Sequence, residues 1–384
     1  MNSGIAVGSA VTPAWVSADG KISVFYGDCK TVMAALPQES VHAVISDPPY
    51  GMSPDGLSRN MDEIEGLKTR GGFAGAEWDA AVPGPSIWRE ALRVAKPGAH
   101  LLSFASTRTY HTMAAAAQTA GWMIRDMLSW VYCQGTPKGM DVGKAYDRQA
   151  GVEEQRGYIP VPGGIGKDSK RSVIQFKGKR EGMYLNPDNP ISPEAKKWHG
   201  WNTALKTAVE PIAMARKPYP GSLLDNLREH SVGALNTKLC AIPCEAEVAA
   251  APSLFDTGEE VKVESYWPAN FLVSREAAQW LNEWHKQDWT GIFYTPKPTD
   301  SEFAEGYAED NATVHLTVKP LALMRYLIQL VTPPDCVVLD PFGGSGTTAV
   351  ACQSLGRRCI IIERERPSVD VIIRRLATPK GGLF

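Results

Sequence analysis

The chain has 384 residues and a formal net charge of −2, and 43% of its residues are hydrophobic. These values allow one large domain or two of ordinary size with a sizeable core, and they exclude wholesale disorder. They also exclude a uniformly basic protein, so a nucleic acid would have to bind to a local patch.

Targeting signals and cysteines indicate the compartment. No apolar run approaches the roughly 20 residues that cross a bilayer, and the start MNSGIAVGSAVTPAW lacks the pattern of a signal peptide. Seven cysteines at scattered spacings do not suggest a disulfide framework. We therefore expect a soluble cytoplasmic protein with reduced thiols. Cys240 and Cys244 have no second pair or histidine at ligand spacing, so we predict no metal site.

The first elements form a βαβ unit, which implies a parallel sheet. Residues 21–28 (KISVFYGD) predict a strand, residues 29–37 (CKTVMAALP) a helix that stops at the proline, and residues 40–47 (SVHAVISD) a second strand.

The second strand stops at Asp47-Pro48-Pro49-Tyr50. Two prolines cannot continue a sheet, and they hold the chain in a stiff extended turn. Asp47 and Tyr50 would therefore lie at the carboxyl end of a strand, where open α/β sheets bind ligands. An ordinary strand-to-loop turn is the alternative, since Asp and Pro are common in turns.

The alternation of predicted helices and strands continues to about residue 148. Residues 86–106 predict a helix, a turn at Lys96-Pro97-Gly98 and a buried strand, and residues 108–122 and 124–132 predict another helix and strand. The stretch 52–84 is rich in Gly, Asp and Arg, which is typical of a loop over a site.

The pattern changes between residues 150 and 312, where Pro and Gly increase and six of the eleven tryptophans occur. Within 164–180, six basic residues accompany one acid. This run predicts contacts to a nucleic-acid backbone, with a solvated surface as the alternative. Lys138 in GTPKG has the same two interpretations.

The α/β pattern resumes at about residue 313. Residues 319–335 predict an amphipathic helix stopped by prolines, residues 336–356 a strand, glycine turn and helix, and residues 357–376 a strand and a closing helix. We therefore predict one discontinuous α/β domain (20–150 and 313–384), a doubly wound and mostly parallel sheet, with residues 151–312 inserted as a recognition region.

The stretch VVLDPFGGSG (337–346) places a glycine-rich turn between a strand and a helix, a geometry that favours close approach of a ligand. It lacks the lysine of a phosphate loop and the spacing of a dinucleotide fingerprint. Asp340 at the strand tip suits an ammonium, and Glu363, 23 residues on, suits ribose hydroxyls. An amino acid joined to a ribose describes S-adenosylmethionine (SAM); a purely structural turn is the alternative.

The two anchors of the chain, Asp47–Tyr50 and Asp340–Gly346, together resemble motifs of the amino-directed DNA methyltransferases. Asp47-Pro-Pro-Tyr50 resembles their catalytic motif and Asp340-Pro-Phe-Gly-Gly-Ser-Gly346 their cofactor loop. Because the catalytic motif comes first, the chain is similar to the circularly permuted β group. HLTVKP (315–320) resembles the segment before the cofactor strand, with Leu316 in place of the usual proline, and GWNTALKTAVEPIAMARKP and WPANF resemble prophage-type members.

The resemblance implies a Rossmann-like, SAM-dependent methyltransferase fold and a set of site residues. The implied catalytic residues are Asp47, Pro48, Pro49 and Tyr50. The implied SAM-binding residues are Asp28, Lys319, Asp340, Phe342, Gly344, Gly346, Thr347 and Glu363; Lys319 could instead cap a helix. The predicted DNA-binding residues are Lys138, Lys167, Lys170, Arg171, Lys177, Lys179 and Arg180.

The implied reaction is methyl transfer from SAM to the exocyclic amine of a base flipped out of double-stranded DNA. Asp as the first motif residue favours adenine N6 over cytosine N4. A fold-retaining, non-catalytic DNA-binding subunit is a further alternative. C5-cytosine chemistry would need a cysteine nucleophile, usually in a Pro-Cys pair. Pro243-Cys244 is such a pair, but it lies in the irregular region between residues 150 and 312, so C5 chemistry is disfavoured. A prokaryotic or phage origin, a homodimer and a paired restriction nuclease are also expectations from the resemblance.

Overall fold

The structure is a computed structural model, and it describes residues 11–52, 57–64, 77–132, 139–160, 183–243, 265–273, 293–294 and 318–377. Fourteen strands occur in these ranges. They are β1 (Trp15–Val16), β2 (Ile22–Tyr26), β3 (Val41–Ser46), β4 (Ala95–Phe104), β5 (Met123–Val131), β6 (Tyr158–Pro160), β7 (Met183–Leu185), β8 (Val209–Arg216), β9 (Ile242–Pro243), β10 (Ser265–Tyr266), β11 (Phe271–Val273), β12 (Phe293–Tyr294), β13 (Val337–Asp340) and β14 (Arg358–Glu363).

The described residues also form ten α-helices. They are α1 (Cys29–Ala35), α2 (Met61–Ile64), α3 (Pro85–Val94), α4 (Tyr110–Thr119), α5 (Val142–Gln149), α6 (Pro193–Lys197), α7 (Leu223–His230), α8 (Leu321–Val331), α9 (Thr347–Ser354) and α10 (Arg366–Ala377). The helices and strands predicted at both ends of the chain are confirmed, with small shifts at their termini.

Ten of the described strands form one mixed sheet in the order β1-β2-β14-β13-β3-β4-β8-β5-β11-β12. The run from β2 to β4 is parallel throughout. Strand β8 is antiparallel to both of its neighbours, β4 and β5. The predicted fold class, a mostly parallel α/β sheet, is confirmed.

Helices cover both faces of this sheet. One hydrophobic cluster contains Leu327 of α8, Val350 of α9 and Ile372 of α10. The other contains Trp88 of α3 and side chains of α1 and α4. Strands buried on both faces are expected to be nearly continuous apolar runs, which is why the sequence shows them so clearly in β3, β13 and β14.

The predicted turn at Lys96-Pro97-Gly98 is wrong, because strand β4 begins at Ala95 and includes these residues. The register explains how: Val41 pairs with Ala95, whereas Ala43 pairs with His100. An advance of two residues along β3 thus corresponds to five residues along β4, and the extra residues of β4 form an irregularity within that strand.

The chain divides into two compact units, residues 1–133 with 209–384 and residues 134–208. The first unit contains the ten-stranded sheet. The second contains α5, α6, β6 and β7, and its interior holds an ion pair between Arg156 Nε and Asp147 Oδ2 at 2.6 Å. The predicted limits of the insertion, 151 and 312, stay a prediction, although β8 lies between them and belongs to the sheet.

No helix among the described residues is long and apolar enough to cross a membrane. Within the same ranges, no group of three or more His, Cys, Asp or Glu side chains is placed to hold a metal ion.

Candidate active site

Strand termini bring five acidic residues to one edge of the sheet. Asp47 follows β3, Asp340 ends β13, Glu363 ends β14, and Asp28 lies two residues beyond β2. Strand β8 runs in the opposite direction, so Glu210, its second residue, lies at the same edge. This is the edge at which open α/β sheets bind their ligands.

The ammonium of Lys319 lies between two of these carboxylates. Its Nζ donates to Oδ2 of Asp47 at 2.5 Å and lies 3.5 Å from Oε2 of Glu210. Burial alone would lower the pKa of Lys319, but the charges of Asp47 and Glu210 outweigh burial and raise it. Lys319 therefore stays protonated. Pro320 occupies the N-cap of α8, so Lys319 does not fill the capping role that the sequence left open.

Asp47 has one oxygen with a partner and one without. Its Oδ1 is buried and makes no hydrogen bond to any described residue. A buried acceptor left unpaired costs about 1–3 kcal/mol, and such atoms in native structures call for an explanation such as a ligand. Burial raises the pKa of Asp47, the charge of Lys319 lowers it, and the charge of Glu210 raises it again, so that the net shift is upward.

Three hydrogen bonds fix the turn that carries Asp47. The N–H groups of Tyr50 and Gly51 both donate to Oδ1 of Asp79, at 2.7 and 3.1 Å. The hydroxyl of Thr109 donates to the carbonyl of Tyr50 at 2.6 Å. Both prolines of the motif are buried. The turn is therefore held by its surroundings as well as by proline stiffness.

Glu210 accepts hydrogen bonds from two tyrosines. Tyr50 donates its hydroxyl to Oε2 at 3.0 Å, and Tyr132 donates to Oε1 at 3.1 Å. The ring centroid of Tyr50 is also 5.3 Å from Nζ of Lys319. The Asp47–Tyr50 turn, Lys319 and Glu210 thus form one connected polar cluster.

Asp340 is a buried carboxyl beside this cluster. Its Oδ1 accepts from the hydroxyl of Ser46 at 2.6 Å and from the N–H of Phe342 at 3.1 Å. Burial raises the pKa of Asp340 to about 7, although the hydrogen bonds from Ser46 and Phe342 act in the opposite direction. A ligand cation next to Asp340 would favour its ionised form.

The glycines after β13 are required by packing and by backbone conformation. A Cβ on Gly343 would lie 2.7 Å from Cγ1 of Ile361. Gly346 has a φ of +82°, and a Cβ there would lie 2.9 Å from Cγ1 of Ile372. Gly344 has a φ of +51°. These positions admit no other residue without strain, so the loop keeps its tight path into α9.

Glu363 is tied to the same loop. Its Oε2 accepts from the N–H of Gly344 and its Oε1 from the N–H of Glu365, each at 2.7 Å. Burial raises the pKa of Glu363. Each carboxylate oxygen retains a second lone pair for a ligand hydroxyl. Asp28, at the neighbouring strand, caps α1 by accepting from the N–H of Thr31 at 3.0 Å.

Two further predicted residues support the loop. Thr347 Oγ1 is 3.2 Å from an N–H of the buried Arg375, whose guanidinium also donates to the carbonyl of Ser345 at 2.6 Å. Phe342 packs edge-on against Trp88, with ring centroids 6.4 Å apart.

A small pocket opens where the two anchors meet. Six of the predicted site residues line it: Asp47, Lys319, Asp340, Phe342, Gly344 and Thr347. The structure thus brings together, from opposite ends of the chain, residues predicted separately as catalytic and as cofactor-binding.

The predicted DNA-binding residues lie outside the described residues, and their role stays a prediction. They are Lys138, Lys167, Lys170, Arg171, Lys177, Lys179 and Arg180. Cys244, the partner of Cys240 in the rejected metal pair, also lies outside them.

Sequence reasoning did not single out Glu210 or Asp79. Glu210 precedes a proline and a short apolar run, as an acid at the start of a buried strand would, but it falls in the region interpreted as an insertion. Asp79 lies 29 residues after Tyr50 in the sequence, and no spacing rule links the two.

Comparison with known proteins gives a consistent result. The sequence model of the DNA methylase family, which covers N6 and N4 methyltransferases, matches residues 41–374. The type II methyltransferase M.HindIII of Haemophilus influenzae is 24% identical over 94% of this chain and 97% of its own length. M.HinfI, from the same species, is 31% identical over 30% of this chain and 36% of its own.

Among solved structures, the PvuII DNA methyltransferase (cytosine-N4-specific) has a TM-score of 0.50 at 13% identity, with 97% of this chain and 91% of that chain covered. This similarity concerns the fold alone.

Proposed function

The chain belongs to the N6/N4 DNA methylase family, and from this premise we propose that it methylates the exocyclic N6 of adenine in double-stranded DNA. The observation that carries the proposal is Oδ1 of Asp47, a buried acceptor without a hydrogen-bond partner among the described residues, on a turn fixed by its surroundings.

SAM is the methyl donor of this family, and its sulfonium supplies an electrophilic methyl group. The residues at the pocket fit such a molecule. Asp340 lines the pocket and offers a carboxylate to an ammonium, and the glycine turn allows close approach. Glu363 does not line the pocket, but it is hydrogen-bonded to Gly344, which does, and it offers oxygens to ribose hydroxyls. Asp28 and Phe342 are proposed to flank the adenine end of SAM, and Gly344, Gly346 and Thr347 to form the floor of its site.

The chain's own residues then prepare the amine. An exocyclic amine is a poor nucleophile because its lone pair is delocalised into the ring. Asp47 Oδ1 accepts one N–H and the carbonyl of Pro48 accepts the other, which localises the lone pair towards the methyl group. Because the turn is already held by Asp79 and Thr109, little reorganisation is needed in the transition state. Tyr50 stacks on the flipped base.

Adenine is favoured because the motif begins with Asp47; within the family, Asp as first residue favours adenine and Ser favours cytosine. Cytosine N4 is the second candidate, since it presents the same amine next to a ring nitrogen and requires the same acceptors.

Other parts of the proposal rest on sequence. The catalytic motif precedes the cofactor loop, so we assign the chain to the circularly permuted β group, with a phage or prokaryotic origin and a cytoplasmic location. The basic run at 167–180 is assigned to the DNA backbone. A homodimer and a cognate nuclease are further expectations.

The test uses purified protein, SAM and unmethylated plasmid DNA, followed by digestion to nucleosides and mass spectrometry. N6-methyladenine is the expected product. N4-methylcytosine would retain the mechanism and overturn the choice of base. SAM binding with no methylated base in DNA would overturn the proposal in favour of a non-catalytic subunit.

A further inference from the structure

Glu210 contacts three side chains at the candidate active site, and it belongs to neither of the two anchors. Its Oε2 accepts from Tyr50 at 3.0 Å and lies 3.5 Å from Nζ of Lys319, and its Oε1 accepts from Tyr132 at 3.1 Å. Its side chain is 19% exposed. A carboxylate with this many partners is held in one orientation.

We propose that Glu210 is a positioning residue for methyl transfer, which directs Lys319 to Oδ2 of Asp47 and thereby leaves Oδ1 for the target amine. The inference rests on the proposed function, since it assigns Glu210 a role through Asp47. In this role Glu210 acts through Lys319 and Asp47, and it needs no contact with the substrate.

The position of Glu210 follows from the direction of β8. The strand is antiparallel to β4 and β5, and Glu210 pairs with Trp130 near the end of β5. A residue at the start of an antiparallel strand lies beside residues at the ends of parallel ones. Glu210 therefore reaches the catalytic turn from a fixed strand, which places it more accurately than a loop would.

Lys319 needs two carboxylate partners to keep its ammonium in one position. Its ammonium is a compact point charge on a flexible stem of four carbons. With Asp47 as its single partner, the ammonium could bridge both oxygens of that carboxylate or rotate between them. The contact with Glu210 fixes Nζ on the Oδ2 side. The hydroxyl of Tyr50 is held by the same oxygen, so the ring that meets the base is oriented together with the lysine.

The charge of Glu210 has an effect on the pH dependence of the rate that loss of packing alone would not produce. The titratable groups that face Asp47 are Lys319, Glu210, Tyr50 and Asp340. Two carboxylates share the ammonium of Lys319. Burial raises the pKa of Asp47, Lys319 lowers it and Glu210 raises it. Removing the charge of Glu210 therefore lowers the pKa of Asp47 and moves the acidic limb of the rate profile to lower pH.

The experiment measures single-turnover methylation of plasmid DNA between pH 5.5 and 9 for wild type, Glu210→Gln and Glu210→Asp, with SAM affinity measured by calorimetry. Glu229→Gln is the control, because Glu229 is a carboxylate on α7 whose side chain is 76% exposed. We expect Glu210→Gln to lose about tenfold to a hundredfold in rate, as misplacement of reacting groups does. It should bind SAM within about twofold of wild type and shift its acidic limb to lower pH. Glu210→Asp keeps the charge, so it should be slower with an unshifted limb.

A Glu210→Gln variant with the wild-type rate, or a slower one whose acidic limb does not move, would overturn the role assigned to Glu210. If Glu210→Gln does not fold, Glu210→Asp decides: a wild-type rate would contradict the inference, since the shorter side chain cannot keep all three contacts. Failure of the wild-type protein to methylate DNA would instead refute the proposed function.

Discussion

Lys319 Nζ and Asp47 Oδ2 lie 2.5 Å apart, although 272 residues separate them in the chain. The pair joins Lys319, two residues before α8, to the turn after β3, and it therefore connects segments from opposite ends of the chain. Four predictions concern this pair and the pocket next to it.

Asp47→Ala should abolish methyl transfer while leaving SAM affinity within about threefold of wild type. The substitution removes the acceptor for the amine but leaves the glycine loop, Asp340 and Glu363 in place. Transfer is measured with labelled SAM and DNA, and binding by calorimetry on the same preparation. Loss of SAM binding in a variant with wild-type thermal stability would contradict the separation of catalytic and cofactor residues.

Lys319→Met should move the acidic limb of the rate profile to higher pH, the reverse of the shift expected for Glu210→Gln. Without the ammonium, only the hydroxyl of Tyr50 opposes burial and the charge of Glu210, so the pKa of Asp47 rises further. Breaking a buried ion pair by removing one partner costs about 3–5 kcal/mol, so Tm should also fall. An acidic limb at the wild-type position would show that Lys319 does not control the charge of Asp47.

SAM affinity should increase as the pH rises through about 7, the raised pKa of Asp340. Pairing with the ammonium requires the ionised carboxylate, and at pH 8 that form is about tenfold more abundant than at pH 6. Kd should therefore fall by up to about tenfold over this interval. The control is Asp340→Asn, which keeps an acceptor for Ser46 but cannot ionise, and it should bind more weakly with a flatter profile. Equal Kd values for the wild type at pH 6 and pH 8 would exclude Asp340 as the ammonium partner.

Gly346→Ala should destabilise the protein by more than Gly356→Ala and should weaken SAM binding. Both glycines have positive φ, +82° and +66°, for which an alanine costs about 1–2 kcal/mol. A Cβ at Gly356 would meet nothing closer than 4.0 Å, whereas at Gly346 it would lie 2.9 Å from Ile372. Urea unfolding measures the difference, and equal losses of stability would show that the contact with Ile372 relaxes without cost.

Much of this arrangement was predictable from sequence, for identifiable reasons. Strands β3, β13 and β14 are buried on both faces, so their apolar runs are continuous and their ends are marked by acids and prolines. The rule that parallel strands end at a common edge then places Asp47, Asp340 and Glu363 near one another.

The remainder depends on information that no local pattern contains. The direction of β8 cannot be read from PIAMAR, and that direction brings Glu210 to the edge. The ion pair of Lys319 with Asp47 depends on tertiary packing across a long separation in sequence. So do the hydrogen bonds that Asp79 accepts from the N–H groups of Tyr50 and Gly51. The irregularity within β4 shows the same limitation, since Pro97 and Gly98 indicate a turn but not that the strand continues through it.

The order of strands in the sheet also has a consequence for synthesis of the chain. Strands β2 and β3 lie close in sequence, yet β14 and β13 separate them in the sheet. When β4 has been synthesised, the places of β14 and β13 between β2 and β3 are therefore still empty. Strands β2 and β3 then present unpaired backbone groups along this gap. The gap closes only when β13 and β14 leave the ribosome, so the two strands that flank the glycine-rich turn are the last to join the centre of the sheet. Contacts of such high sequence separation slow folding, and a fragment that ends before β13 lacks Asp340, the glycine-rich turn and Glu363.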